Sequence, residues 1–400
     1  MPSATKKARV RSFDSLSGRL VPLVSETLDQ AMSMELAGVS GPAPVKINKL
    51  LLRITAMASG RAFVGPKLWH EEEYIDNAIN FTTDFMMAVA SVAFLPVWLR
   101  PILSPIMPLV RALHRRIQRE KKLMYPVVLS RRELGATMGP SMKPDDLLEW
   151  LIDNTAGTGD EDDMSIIHKQ MVTSFAAVHT SSQTMTNTFY TLAAEPDVAA
   201  MLLEEVREVL GKHEGKFTLQ SLQELKKMDS FAKETMRYYP LMAASVQRKV
   251  LKPFALSNGQ VVPAGVIIEC ANKAICDDPA IYDKPEVFDA LRFYKMCKTK
   301  DTMSENKKSN FMLGSSESQF VSTGPLSLWW GYGKHACPGR FFASSMIKMV
   351  TAKTLMQYEL GLPDGVTKRY ENIVYGDITW KRLLYSGKDQ MVDFRFAWKC

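Results

Sequence analysis

Apolar residues recur with a helical period over most of the chain. Leu20, Leu23, Val24 and Leu28 predict a core helix over residues 18–36, and Ile47, Leu50, Leu51 and Ile54 predict a second over 45–57. The same period runs through 74–95, 109–125, 145–153, 164–195, 196–211 and 221–239, the last opened by a capping box at Ser221 and Glu224. A final apolar run (Phe341, Phe342, Ile347, Val350, Leu355) predicts a helix that starts at or just after Cys337, with Pro338 suited to its first turn. Strand-like runs are short. They cover 245–251, 253–256 and 261–269, with Asn258-Gly259 as a hairpin turn, and Val392, Phe394, Phe396 and Trp398 alternate with polar residues near the end. The pattern predicts a mainly α fold with small β-sheets, organised as a single domain over residues 1–400.

Two stretches depart from simple amphipathy. Residues 96–108, PVWLRPILSPIMP, hold four prolines and read as a rigid apolar loop; a very basic helix follows, with Arg111, Arg115, Arg116, Arg119, Lys121 and Lys122. That pairing fits either contact with a membrane surface or a solvated helix face. The helix over 164–195 interleaves Met171, Phe175, Val178 and Met185 with many Ser and Thr, and every buried hydroxyl there needs a partner.

Composition narrows the function classes. A net charge of +7 spread along 400 residues does not indicate nucleic-acid binding, and 46% hydrophobic with 23% charged residues is ordinary for a soluble protein. Five cysteines (Cys270, Cys276, Cys297, Cys337, Cys400) without a C-x-x-C pair argue against a disulfide framework and against structural zinc. The longest apolar stretch, 85–99, is too short to span a bilayer, which takes about 20 residues.

The strongest chemical signal surrounds Cys337. Gly333 lies four residues before it and Gly339 two after, and a predicted helix N-terminus there offers free N–H groups and a positive dipole end that favour a thiolate. Glycines on either side let a large flat ligand approach the backbone, with Trp330 as an aromatic wall. Haem iron with an axial cysteine thiolate fits these features. Elsewhere, Glu234 and Arg237 are spaced i, i+3 on one helix, by itself an ordinary ion pair.

Trp330, Gly333, His335, Cys337, Pro338 and Gly339 resemble the haem-binding loop of the cytochrome P450 family, F-x-x-G-x-[RH]-x-C-x-G, with tryptophan in place of phenylalanine. Three further segments resemble family signatures in family order. FAAVHTSS, at 175–182, is similar to the oxygen-activating helix: Ala177 stands where glycine is usual, and Thr180 matches the threonine that hydrogen-bonds dioxygen and relays protons. His179 replaces the usual carboxylate there and is either a second proton carrier or a packed helix residue. Glu234 to Arg237 matches E-x-x-R, and FDALRF, at 288–293, resembles F-x-P-x-R-F with Ala290 for proline. The resemblance implies that Glu234, Arg237 and Arg292 form a buried network behind the cofactor site. It also implies that Arg248 and His335 contact the haem propionates, and that residues 241–246 and a loop at 376–379 line the pocket.

The implied protein is a P450-fold monooxygenase using haem b, O2 and a lipophilic substrate. Its electrons come from NADPH through NADPH-cytochrome P450 reductase, because no G-x-G-x-x-G fingerprint is present. Lys334, Arg340 and Lys348 are the expected docking cations. LSNG, FVSTGP and KHACPGRFFA look like fungal biosynthetic members, which implies a secondary metabolite of terpenoid or indole-diterpene type. Family members sit on the cytosolic face of the endoplasmic reticulum through an N-terminal anchor. This chain starts after the anchor and first helices, so the expectation is an N-terminally incomplete fold, cytoplasmic or peripheral to the membrane. A haem-thiolate isomerase or dehydratase, and a haem-binding but catalytically silent protein, are the alternatives.

Overall fold

The computed structural model describes residues 3–37, 43–137, 143–155, 162–302, 318–363, 365–370 and 391–396. The helices in chain order are α1 (Ser3–Leu36), α2 (Ile47–Phe63), α3 (Glu72–Ala93), α4 (Arg100–Leu103), α5 (Pro108–Thr137), α6 (Leu147–Thr155) and α7 (Asp163–Ala194). They continue with α8 (Pro196–Lys212), α9 (Leu219–Glu224), α10 (Lys226–Tyr238), α11 (Asn272–Cys276), α12 (Arg292–Thr302) and α13 (Arg340–Gln357). The strands are β1 (Ala43–Lys46), β2 (Ser245–Lys249), β3 (Phe254–Ala255), β4 (Val261–Val262), β5 (Ile267–Cys270), β6 (Tyr358–Gly361) and β7 (Met391–Phe396). The expected class, mainly α with small sheets, is what forms. Among the described residues no helix is long and apolar enough to cross a membrane.

These elements gather into two compact units. One comprises Pro22–Ser40 and Asn48–Ser182. Its core is set by the apolar stripes of the sequence: Leu28, Leu51, Met57, Ile75, Met124, Leu148, Ile166 and Val178 are all fully enclosed. Here α3 packs along α5. The entry to α6 is held by Arg131, which donates to Asp146 at 2.6 Å and to Glu149 at 3.3 Å. Gly65 borders that pair with φ +84°, and a Cβ there would lie 2.5 Å from the Asp146 carboxylate, so no larger residue fits.

The other unit comprises Met1–Val21, Gly41–Ile47 and Gln183–Cys400. Its core draws on Phe189, Leu202, Val206, Phe231, Phe293, Phe320 and Ile347. Three small antiparallel sheets lie in it, ordered β1-β7-β6, β2-β5 and β3-β4, with Val45 opposite Val392 and Leu360 opposite Phe394.

Several boundaries differ from the sequence expectation, each for a local reason. The strand expected over 261–269 divides into β4 and β5, because Pro263 donates no ladder hydrogen bond and Gly265 turns the chain at φ +90°. β2 carries a bulge between Ser245 and Arg248, with Val246 at φ +58°. The cap is at Thr218 instead of Ser221. The Thr218 hydroxyl accepts from the Ser221 amide at 3.0 Å, the Ser221 hydroxyl accepts from the Thr218 amide at 2.8 Å, and the helix breaks at Leu225. The apolar loop after α3 is a run of short helical turns, with Pro101 and Pro105 early in α4 and the following turn, positions that need no N–H. The pocket loop expected at 376–379 lies outside the described residues, as do Trp398 and Cys400.

Candidate active site

Cys337 sits in the turn that opens α13. The helix begins at Arg340 with Gly339 as its N-cap, so Pro338 lies just outside the first turn it was expected to occupy. The turn is pinned by its own backbone: the Cys337 amide donates to the Trp330 carbonyl at 2.6 Å and the Gly331 amide to Leu328 at 2.8 Å. Gly331, which sequence reasoning passed over, is required here. Its φ is +73° and a Cβ would meet the His335 carbonyl at 3.1 Å. The Trp330 indole donates to the Phe320 carbonyl at 2.7 Å and packs edge-on against Phe320, which fixes the aromatic wall before the cysteine.

The electrostatics correct one expectation. The Gly339 and Arg340 amides and the Arg340 charge all act to lower the Cys337 pKa, as a helix N-terminus should. Burial outweighs them, so the thiol is pushed above its ordinary value. A metal bound there would have to displace the thiol proton. The surroundings fit a haem: Sγ is approached by two backbone N–H groups that would hold a thiolate, and a Cβ built on Gly333 or Gly339 would meet no protein atom within 4 Å.

Behind the turn stands α10, whose buried face is charged. Glu234 and Arg237 are both 0% exposed. Arg237 donates to both Glu234 oxygens at 2.8 Å, and Arg292 at the start of α12 donates to them at 3.1 and 3.2 Å. The Asp289 amide adds a further donor at 3.1 Å, and Arg237 and Arg292 also reach the carbonyls of Cys276 and Val287 at 2.7 Å. The sequence-predicted trio thus converges. Two neighbours on α10 were missed: Lys233 donates to the Gln319 carbonyl at 3.0 Å and to Ser322 at 2.8 Å, and Asp229 accepts from the Phe320 amide at 2.8 Å. Both grip the segment leading into the cysteine turn. The available signal was the placing of Asp229, Lys233, Glu234 and Arg237 on one face of one helix.

Lys348, expected among the docking cations, is 6% exposed. It pairs with Asp229 and donates to the Leu222 carbonyl at 2.9 Å, so it is a structural cation. Lys334 and His335 are exposed, and Arg340 is half-buried, its guanidinium donating to the Cys337 carbonyl at 2.8 Å and lying over Phe341. Arg248 is exposed on β2, where it donates to the Gln247 carbonyl.

The other unit holds the segment of α7 that resembles the family's oxygen-activating helix. Thr180 is exposed and its hydroxyl donates to the Ala176 carbonyl at 2.7 Å. His179 points the other way, with Nε2 2.6 Å from the Ile79 carbonyl of α3, and burial pulls its pKa below the ordinary histidine value.

Comparisons with known proteins identify the family. A family model described as Cytochrome P450 matches residues 2–382. The chain is 32% identical over 362 residues to the cytochrome P450 monooxygenase ATR3 of Stachybotrys chlorohalonatus, covering 90% of this chain and 74% of that one. It is 31% identical to the cytochrome P450 monooxygenase AN1598 of Emericella nidulans, covering 88% and 64%, and 33% identical to the cytochrome P450 monooxygenase paxP of Penicillium paxilli, covering 90% and 67%. The chain therefore spans roughly two thirds of the length of these relatives.

Proposed function

The chain belongs to the cytochrome P450 monooxygenase family, and on that premise we propose that it is a haem-thiolate monooxygenase of fungal secondary-metabolism type acting on a lipophilic substrate. The observation that carries this reading is the Cys337 sulfur, held in a glycine-flanked turn with two backbone amides directed at it. When bound, haem supplies the one-electron and dioxygen chemistry that side chains lack.

The protein's own contributions are ligation, support and proton handling. Cys337 Sγ would ligate the haem iron, and the Gly339 and Arg340 amides would stabilise its negative charge once the proton has left. Arg248 and His335, exposed in the same unit, would hold the propionates. Glu234, Arg237 and Arg292 touch no substrate; they keep α10 and α12 in place behind the turn. Thr180 Oγ1 holds the proton that is delivered, and its bond to the Ala176 carbonyl is local enough to be exchanged for one to a bound molecule. With no dinucleotide fingerprint of its own, the chain takes electrons from NADPH through a partner reductase. Lys334 and Arg340 remain as docking cations beside the turn.

Exposed apolar side chains on α3 and α7 (Phe85, Met86, Val89, Val172) support a lipophilic substrate. The finer assignment to a terpenoid or indole-diterpene rests on sequence likeness. Membrane contact is supported by the tip between α3 and α5, where Phe94, Val97, Trp98, Ile102 and Ile106 are all more than half exposed beside Arg100 and Arg111. The continuous family match supports reading residues 1–400 as one domain. The test is the absorption spectrum of the dithionite-reduced protein with carbon monoxide. A long-wavelength Soret band of thiolate ligation, absent in Cys337→Ala, is expected; a band of histidine ligation or no haem uptake overturns the reading. Turnover of a substrate without NADPH would instead single out an isomerase or dehydratase.

A further inference from the structure

We propose that His179 is a positioning residue: its imidazole straps α7 to α3 and so fixes the turn of α7 that carries Thr180. The inference rests on the reading of Thr180 given above and goes beyond it, because it assigns a mechanical task to the residue that stands in place of a carboxylate.

Three observations within one unit carry it. First, the Nε2 atom of His179 lies 2.6 Å from the main-chain oxygen of Ile79, in the middle of α3. A backbone carbonyl only accepts, so Nε2 must carry the hydrogen and donate it. A carboxylate at 179 has no hydrogen to give at neutral pH and would face that oxygen with like charge, so the group usual in the family cannot make this bond. Second, the bond belongs to a longer seam. Phe175, one turn earlier on the same face of α7, packs edge-on against Phe81 and Phe85 of α3, with ring centroids 6.0 and 5.2 Å apart. Two residues before Ile79, the Asn77 amide is bonded to Glu120 of α5, and Arg116 donates to its oxygen at 3.3 Å. Ile79 is thus the α3 residue between two fixed contacts, and His179 closes the seam between them. Third, Thr180 is exposed, and its hydroxyl is bonded one turn back to the Ala176 carbonyl of the same helix. What sets its direction is the rotation of α7, which the neighbouring His179 fixes.

Burial lowers the imidazole pKa, in keeping with a neutral ring whose Nε2–H is committed to the Ile79 carbonyl.

The experiment compares wild type, His179→Gln, His179→Ala and His179→Asp in the haem-loaded chain. Glutamine keeps a donor near the position of Nε2 and does not titrate. Hydrogen–deuterium exchange over residues 76–84 is the first readout. Removing the donor should speed local opening about three- to tenfold in the Ala and Asp variants, the value of one hydrogen bond, and Gln should restore it. The second readout is the share of reducing equivalents that reaches product instead of hydrogen peroxide, which Gln should also restore. Unchanged exchange in His179→Ala overturns the strap. Wild-type exchange in His179→Gln with a product share as low as that of Ala overturns the positioning role in favour of proton carriage. If the thiolate band itself fails, the proposed function falls, while the exchange comparison still decides the strap.

Discussion

α10 and α7 both bury polar side chains, and they satisfy them in opposite ways. On α10 the buried groups are charges whose partners lie far off in sequence: Glu234 binds Arg292 and the Asp289 amide, and Lys233 reaches residues 319 and 322. On α7 the buried groups are mainly hydroxyls that bond one turn back on their own helix, Ser182 to Val178, Thr188 to Thr184 and Thr191 to Asn187, while Ser182 also reaches Thr55 and the Leu51 carbonyl and Thr191 also accepts from Arg369. An ion pair between distant segments is costly to break, because the surviving charge has no water. A hydroxyl bonded to its own helix gives up little when removed and can trade its partner. The helix behind the cysteine is therefore held by bonds that cannot be exchanged, and the helix proposed to handle protons carries hydroxyls that can trade partners.

The sharpest attempt to break this contrast is Glu234→Ala. It strands two buried guanidinium groups and should cost about 3–5 kcal/mol, read as loss of folded protein in denaturant titration. A variant that unfolds at the wild-type midpoint would remove the distinction between the helices. Next comes the pair Lys348–Asp229. Lys348→Met and Asp229→Asn should each destabilise by about 2–3 kcal/mol, with a double mutant well short of additive.

Glu120 on α5 sharpens the comparison, being a buried acid whose nearest polar partner is the neutral Asn77 amide. Burial lifts its pKa to about 7. The folded state then holds the proton more tightly than the unfolded chain. The stability this group contributes should be full below the ordinary carboxylate range and be lost as pH rises through about 7, by on the order of 3 kcal/mol. Glu120→Gln should flatten that profile, and a slope unchanged in the variant would place the titration elsewhere. Smallest of all, Ser182→Ala should cost about 1 kcal/mol or less, measured by the same denaturation. A loss near that of Glu234→Ala would show α7 to be as rigid a frame as α10.

What could be read from the sequence follows the same division. Cys337 with its glycines, and the spacing of Glu234, Arg237 and Arg292, were legible because chemistry at those points demands particular residues at particular intervals. Lys348 was misread as a surface cation because nothing local announces that Asp229, far upstream, meets it. Lys233 and Asp229 were overlooked for the same reason, since each grips backbone near residue 320, 86 and 91 residues away in sequence. Helix interiors declared themselves by period. Their ends did not: the choice of Thr218 over Ser221 as cap, and the helical turns after α3, depend on which N–H groups go unmet in three dimensions.

The backbone bond from the Cys337 amide to the Trp330 carbonyl also has a meaning in time. It joins residues seven apart, a separation that a chain closes in about 10–100 ns, whereas Glu234 and Arg292 must find each other across 58 residues. The turn can thus form and re-form long before the frame behind it consolidates. On this order of events, the geometry around the Cys337 sulfur is set by a short stretch of chain alone, ahead of the buried ion pairs that later hold it in place.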